Sequence, residues 1–172
     1  MAIEFELSER AATCCFSGYR PEKLPWGRDD RDARARGLWR RLYDVTDALY
    51  ASGIRHFLCG MARGADTYFC EAVLALRELR KNITLEAALP CEGQASRWAE
   101  PDRKRYFALV ARCDRQTMVS RLYTPDCMRR RNRYMVDNSS VIVTVFDGKS
   151  GGTAYTRQYA ARRGLEIIDI KP

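Results

Sequence analysis

Along the chain, apolar positions switch repeatedly between short continuous runs and stripes at helical spacing, which is the pattern of strands alternating with helices. Ala11 to Ser17 is a first buried-strand run that stops at Gly18. Tyr19 to Gly27 holds Pro21, Pro25 and Gly27, which favours an extended loop. Leu38, Leu42, Val45 and Leu49 form one helical stripe that ends before Gly53. Ile54, Phe57, Leu58 and Cys59 predict a second strand, and Ala65, Phe69, Ala72, Val73, Leu76 and Leu79 a helix starting between Gly64 and Asp66. Ile83 to Leu89 reads as a third strand, Pro90 to Pro101 as a loop, and Tyr106, Leu109, Val110 and Cys113 as a third helix. Thr117 to Leu122 is expected as a short strand, and Asp126 to Asp137 as a helix with Met128, Met135 and Val136 inward. Val141 to Phe146, β-branched almost throughout, is the strongest strand signal and is expected to be central. A turn from Asp147 to Thr153, a helix through Tyr155 and Tyr159 to Gly164, and a strand from Leu165 to Ile170 complete the chain. No repeat or low-complexity linker interrupts the alternation. The expectation is one α/β domain over residues 1–172, a doubly wound, mainly parallel sheet with helices on both faces.

Ligands of such sheets bind beyond the carboxyl ends of the strands, and three glycine-bearing turns fall there: Gly18 with Arg20, Gly60 to Gly64, and Gly148 to Thr153. The segment Cys59 to Asp66 joins a strand to a helix through two glycines. Its backbone N–H groups and the positive helix end offer a seat for phosphate or another anion, although Gly60 and Gly64 equally serve a tight turn. Gly151 and Gly152 permit close backbone approach, and Thr153 can cap the next helix or donate its hydroxyl. In the loop after the third strand, Trp98 either stacks on a base or anchors the following helix in the core.

Thirty basic residues against twenty-two acidic ones leave a formal charge of +8, and twenty-five of the thirty are arginine. That bias suits phosphate, but Arg129, Arg130, Arg131 and Arg133 read first as a solvated helix face, because the aromatic interleaving of a single-strand binder is sparse in the sequence. The seven cysteines include no CxxC pair and several lie in apolar runs, so buried free thiols in a reducing cytoplasm are expected. The only histidine, His56, reads as structural, which leaves no metal site. No stretch reaches membrane-spanning length and Met1 to Arg10 has no apolar leader core, so the expected location is the cytoplasm.

A set of motifs, in order over nearly the whole chain, carries a resemblance. These are Ser17-Gly18-Tyr19-Arg20-Pro21-Glu22-Lys23-Leu24, then Gly60-Met61-Ala62-Arg63-Gly64-Ala65-Asp66 with Glu71, Pro90 with Gln94 and Trp98, and Arg131-Asn132 with Met135-Val136-Asp137. Together they resemble the YpsA-like family of the SLOG superfamily, the group related to the DNA-processing protein DprA and to the cytokinin-activating LOG enzymes. The resemblance implies a Rossmann-like fold and a pocket for a nucleotide or a nucleotide-derived ligand such as NAD or ADP-ribose, with no certain cofactor. It implies ligand contacts at Gly18, Arg20, Gly60, Met61, Ala62, Arg63, Gly64, Asp66, Gln94, Trp98, Arg131, Asn132, Ser150, Gly151, Gly152 and Thr153. Paired assembly in the wider superfamily implies a homodimer.

Two departures limit what the resemblance implies about chemistry. Ser139-Ser140 stands where the family pattern often has Ser-Asp, and the turn at Thr153 lacks the glutamate that follows it in LOG enzymes. The expected function is therefore nucleotide binding or sensing without catalysis. One alternative is LOG-type hydrolysis of the N-glycosidic bond of a nucleoside monophosphate, for which Asp66, Glu71 and Asp137 are the carboxylate candidates, each with a helix-end role as the plainer explanation. A second alternative is weak, non-specific nucleic-acid binding driven by net charge.

Overall fold

The structure is a computed structural model that describes residues 9–172. The N-terminal expectation for Met1 to Arg10 therefore falls mostly on residues outside those described. Six strands form one all-parallel sheet: β1 (Thr13–Gly18), β2 (His56–Cys59), β3 (Thr84–Leu89), β4 (Arg115–Met118), β5 (Val141–Val145) and β6 (Glu166–Ile170). Their spatial order is β4-β3-β2-β1-β5-β6. The connecting helices are α1 (Ala33–Ala51), α2 (Ala65–Leu79), α3 (Glu100–Arg112), α4 (Cys127–Asp137) and α5 (Gly152–Arg162). This is the doubly wound parallel α/β sheet that the alternating pattern predicts, and the Rossmann-like fold that the resemblance implies.

Both sheet faces are covered because the strands are apolar on both. Phe16, Phe57, Leu85 and Val143 point into a core shared with α1, α2 and α3, while Cys15, Leu58, Ala88 and Ile142 meet α4 and α5 on the other side. A run from β1 outward to β4, followed by a return to the opposite side of β1, puts the reversal of strand order between β1 and β5. At such a reversal the connections leave in opposite directions and open a crevice at the carboxyl ends.

The element ends follow local chemistry. Asp32 caps α1 by accepting the Arg34 N–H at 2.8 Å, and Gly53, at φ 109°, stops it. Pro101 sits in the first turn of α3, which therefore begins before the apolar stripe at Tyr106 that signals it. The fourth strand is Arg115–Met118 rather than Thr117 to Leu122. It is an exposed edge strand whose first three residues are polar and whose last, Met118, is exposed, so no hydrophobic run marks it, and the apolar residues Leu122 and Tyr123 beyond it are exposed. β5 is wholly buried and paired on both sides, but it lies next to the edge strand β6 while β2 and β1 hold the centre. All seven cysteines are free thiols, six of them buried. Among the described residues, no helix is long and apolar enough to cross a membrane.

Candidate functional site

The crevice between the ends of β1 and β5 is a hollow of about 310 Å³. Gly18, Arg20, Ala62, Asp66, Arg131, Asn132, Gly152 and Thr153 line it, joined by Lys23 and Met135. Two helices start at its rim, α2 with Asp66 in its first turn and α5 with Gly152 and Thr153, so the positive ends of both face the space.

Close backbone approach builds this rim. Gly64, at φ 87° and ψ −127°, precedes α2, and a Cβ there would lie 2.6 Å from the Tyr19 carbonyl oxygen. The next N–H, of Ala65, donates to that same carbonyl at 2.9 Å. Only glycine fits this position, and through it the loop carrying Arg20 is pinned to the start of α2. Across the mouth, the Tyr19 hydroxyl donates to Asp147 at 2.6 Å and the Lys23 ammonium to the Ser150 carbonyl at 2.5 Å. Lys23 packs on Gly151, so Ser150 and Gly151 hold this lysine and line neither the hollow nor its neighbour.

Arg131 corrects the solvated-face expectation for the arginine run. It is buried, while Arg129, Arg130 and Arg133 are exposed. Its guanidinium donates to the carbonyls of Gly60 and Ala88, at the ends of β2 and β3, and to the Asn132 side-chain oxygen at 2.7 Å. No carboxylate lies within ion-pair distance of Arg131 or Arg20 among the described residues. Gly60 and Gln94 stand behind the site. The Gln94 amide donates to the Gly60 carbonyl at 3.0 Å, and a Cβ at Gly60 would strike the Arg131 guanidinium.

The remaining predicted contacts gather on the far side of the Gly60 to Asp66 turn. Met61, Arg63, Gly64 and Trp98 line a second hollow of about 350 Å³, which shares Ala62 and Asp66 with the first. Its charges are already satisfied: Arg63 pairs with Glu22 and Asp102, Arg28 with Asp102, and Arg105 with Asp30 and Glu71. Trp98 stands edge-on to Tyr106 at 5.3 Å and under the Arg63 guanidinium, which anchors it at the start of α3. The first hollow, with cations that lack carboxylate partners, is the better seat for an anion.

The three candidate carboxylates separate clearly. Glu71 receives two hydrogen bonds from Arg105, at 3.0 and 2.9 Å, and lines neither hollow. Asp137 lies at the amino edge of the sheet, where it accepts from the Tyr159 hydroxyl at 2.9 Å and pairs with Arg163. It lines a separate hollow of about 810 Å³ with His56 and Glu86. There His56 acts as a structural partner: burial would raise the Glu86 carboxyl, but hydrogen bonds from His56, Thr117 and Tyr134 hold it down at about 2.

Of the three, only Asp66 faces the crevice; the other carboxylate on its lining, Glu22, pairs with Arg63. Asp66 does not cap α2, whose N-cap is Gly64, but accepts the Ala62 N–H at 3.0 Å from within the first turn. Burial pushes its carboxyl up to about 6, opposed by Arg131, the Ala62 N–H and Arg20. Because the unfolded chain ionises this group near 3.8 and the folded one near 6, the folded state holds the extra proton in between. Stability therefore falls as pH rises from about 4 to 6, by roughly 3 kcal/mol at most, and stays lowered above that window. Asp66→Asn is expected to be more stable than the parent at pH 8 and nearly equal to it at pH 4. Urea unfolding of both proteins at the two pH values checks this, and a variant less stable at pH 8 would refute it.

Comparison with known proteins bears on the same segments. Residues 14–167 match the model of the YspA SLOG family. The chain belongs to this YpsA family. Among its relatives, the UPF0398 protein BH1768 of Halalkalibacterium halodurans is 29% identical over 128 residues, covering 72% of this chain and 68% of that one. The UPF0398 protein YpsA of Bacillus subtilis is 23% identical over 151 residues, covering 86% and 83%. Of solved structures, DNA processing protein A of Helicobacter pylori, whose single-stranded DNA binding mode that structure describes, overlays 95% of this chain and 67% of its own. The TM-score is 0.63 at 13% identity, a likeness of fold. The chain spans 51% of the corresponding protein of Streptococcus pneumoniae, again at a TM-score of 0.63 and with 12% identity. These structural likenesses are of fold alone, and the chemistry of the β1/β5 crevice rests on the side chains described above.

Proposed function

We propose that this YpsA-family protein binds a phosphate-bearing nucleotide in the crevice between β1 and β5. The observation that carries the reading is the buried Arg131, which has no carboxylate within ion-pair distance and faces the same hollow as Arg20. A buried cation with no ion-pair partner is costly; Asp66 offsets Arg131 only in part, being protonated below about pH 6, and a ligand anion would supply further negative charge. The starts of α2 and α5 add N–H groups around the same space, and Asn132 and Thr153 offer polar groups for a sugar. Ionisation of Asp66 above pH about 6 would add a negative charge beside the anion, so for NAD or ADP-ribose, whose diphosphate keeps its charge through this range, affinity is tightest below that pH. Titration with nucleotides, NAD and ADP-ribose, against nucleosides as controls, tests the assignment.

The same geometry bears on hydrolysis of the glycosidic bond. That reaction needs a carboxylate free to assist at the sugar, and Glu71 and Asp137 are held away from the crevice by Arg105 and by Arg163 with Tyr159. Asp66 is the one left, and it is engaged with the Ala62 N–H. The expected result is no release of free base from nucleoside monophosphates at an enzyme-like rate, followed by chromatography. Release that disappears in Asp66→Asn would make the protein an N-glycosidic hydrolase and Asp66 its carboxylate.

A further inference from the structure

We infer that the outer face of α4 and α5 is a binding surface for single-stranded nucleic acid, distinct from the crevice. In the sequence the arginines of Arg129 to Arg133 stand apart from aromatic residues other than Tyr134. Folding sets α5 beside α4, joined by the Asn132 amide donating to the Thr156 hydroxyl at 3.0 Å, and brings tyrosines of α5 between the outward arginines. The Arg129 guanidinium lies 5.1 Å from the Tyr155 ring centroid, and that of Arg133 lies 5.5 Å from the Tyr159 ring. Arg133 also donates to the Tyr155 hydroxyl at 2.7 Å, which ties the two rungs together.

The rungs repeat every four residues on both helices, a rise of about 6 Å, comparable with one nucleotide of an extended strand. Each rung sets a guanidinium over a half-buried tyrosine ring, so that a base can stack on the cation–ring pair while the remaining N–H groups meet a phosphate, a combination that sequence-tolerant single-strand surfaces use. The surrounding charge is mainly positive. The two helices carry six arginines against the single acid Asp137; of the six, Arg131 is buried and Arg157 pairs with Asp169. Arg129, Arg130, Arg133 and Arg162 are exposed and have no carboxylate within ion-pair distance among the described residues, while Asp137 is engaged by Arg163 and Tyr159. An acidic protein or an anionic membrane would use the cations but has no need of the interleaved rings, so a single strand fits the surface best.

The test is fluorescence anisotropy with labelled oligothymidylate, oligouridylate and a duplex of equal length, titrated with the full chain between about 50 and 200 mM salt. Both single strands are expected to bind without base preference and more tightly than the duplex, and to weaken steeply with salt. Arg129→Glu with Arg133→Glu should lower single-strand affinity at least tenfold. Arg129→Gln with Arg133→Gln should reduce the log–log salt slope by about 0.7 for each phosphate that is no longer neutralised. Tyr155→Leu should weaken the single strands while leaving the duplex unchanged. Arg129 and Arg133 are both on the surface, and thermal melting confirms that each double variant folds. Single-strand binding that survives both pairs, a duplex that binds as tightly, or binding only to phosphatidylserine vesicles or polyglutamate run as parallel arms would overturn the assignment. Displacement of the oligonucleotide by mononucleotide would place the strand in the crevice and overturn it as well, whereas loss of nucleotide binding in the crevice alone leaves this surface intact.

Discussion

Gly64→Ala is expected to destabilise the protein by about 2–6 kcal/mol and to impair ligand binding with it. Two costs add. At φ 87° and ψ −127° an L-residue is held in a region essentially reserved for glycine, a strain of about 1–3 kcal/mol. The new methyl would also lie 2.6 Å from the Tyr19 oxygen and 2.9 Å from both Arg20 Cα and Pro21 N, all backbone atoms that cannot swing aside. Relief requires the β1 loop to move off the start of α2, an overpacking cost of about 1–3 kcal/mol. Against a typical domain stability of roughly 5–15 kcal/mol this is a large fraction. The movement would carry Arg20 away from Asp66 and the crevice. Chemical denaturation of the variant measures the loss, and stability equal to the parent's would show that the two loops are not pinned as described.

Gly152→Asp is expected to do the opposite, leaving stability unchanged while eliminating nucleotide binding. A Cβ at Gly152 meets nothing within 4 Å and its backbone is not in the left-handed region, so the side chain fits. A carboxylate in the first turn of α5 also suits the helix dipole, worth about 0.3–1 kcal/mol in favour of folding. In the crevice, however, it would stand where ligand phosphate is proposed to sit. Two like charges about 4 Å apart repel by roughly 4 kcal/mol near a protein surface, close to a thousandfold in affinity. Unchanged melting combined with lost binding separates a site residue from a structural one. A variant that binds as well as the parent would move the site elsewhere.

The contrast between these two glycines shows where the sequence is informative. The strands β1, β2, β3 and β5 are legible because burial on both faces leaves nearly continuous apolar runs, and the glycine turns follow directly from their ends. β4 falls earlier than its expected place because an edge strand needs only hydrogen-bonding partners on one side, and Arg115, Gln116 and Thr117 carry no apolar signature. The strand-order reversal, and with it the meeting of Gly18, Arg20, Asp66 and Gly152, is long-range and follows from topology rather than from any local pattern. Arg131 is the clearest case. Among neighbouring arginines nothing local distinguishes the one that turns inward, because its burial depends on the Gly60 and Ala88 carbonyls contributed by two other strands. The same holds for the carboxylates: Glu71 is taken by Arg105 and Asp137 by Arg163, partners 34 and 26 residues away in the chain. Lys23 lies inside the first motif, but its seat on the Ser150 carbonyl exists only once β1 and β5 are adjacent.

The most direct test of the central claim is thermal melting of the parent protein at pH 5.5 with matched pairs of nucleoside and nucleotide, extended to NAD and ADP-ribose. A nucleotide at ~100 times its dissociation constant adds about 2.7 kcal/mol, a rise of roughly 5–10 °C for a chain of this size. The account predicts such a rise with at least one phosphate-bearing member and none with its phosphate-free partner. No shift from any nucleotide at saturating concentration, or an equal shift from the nucleoside, would contradict a phosphate seat at Arg20 and Arg131.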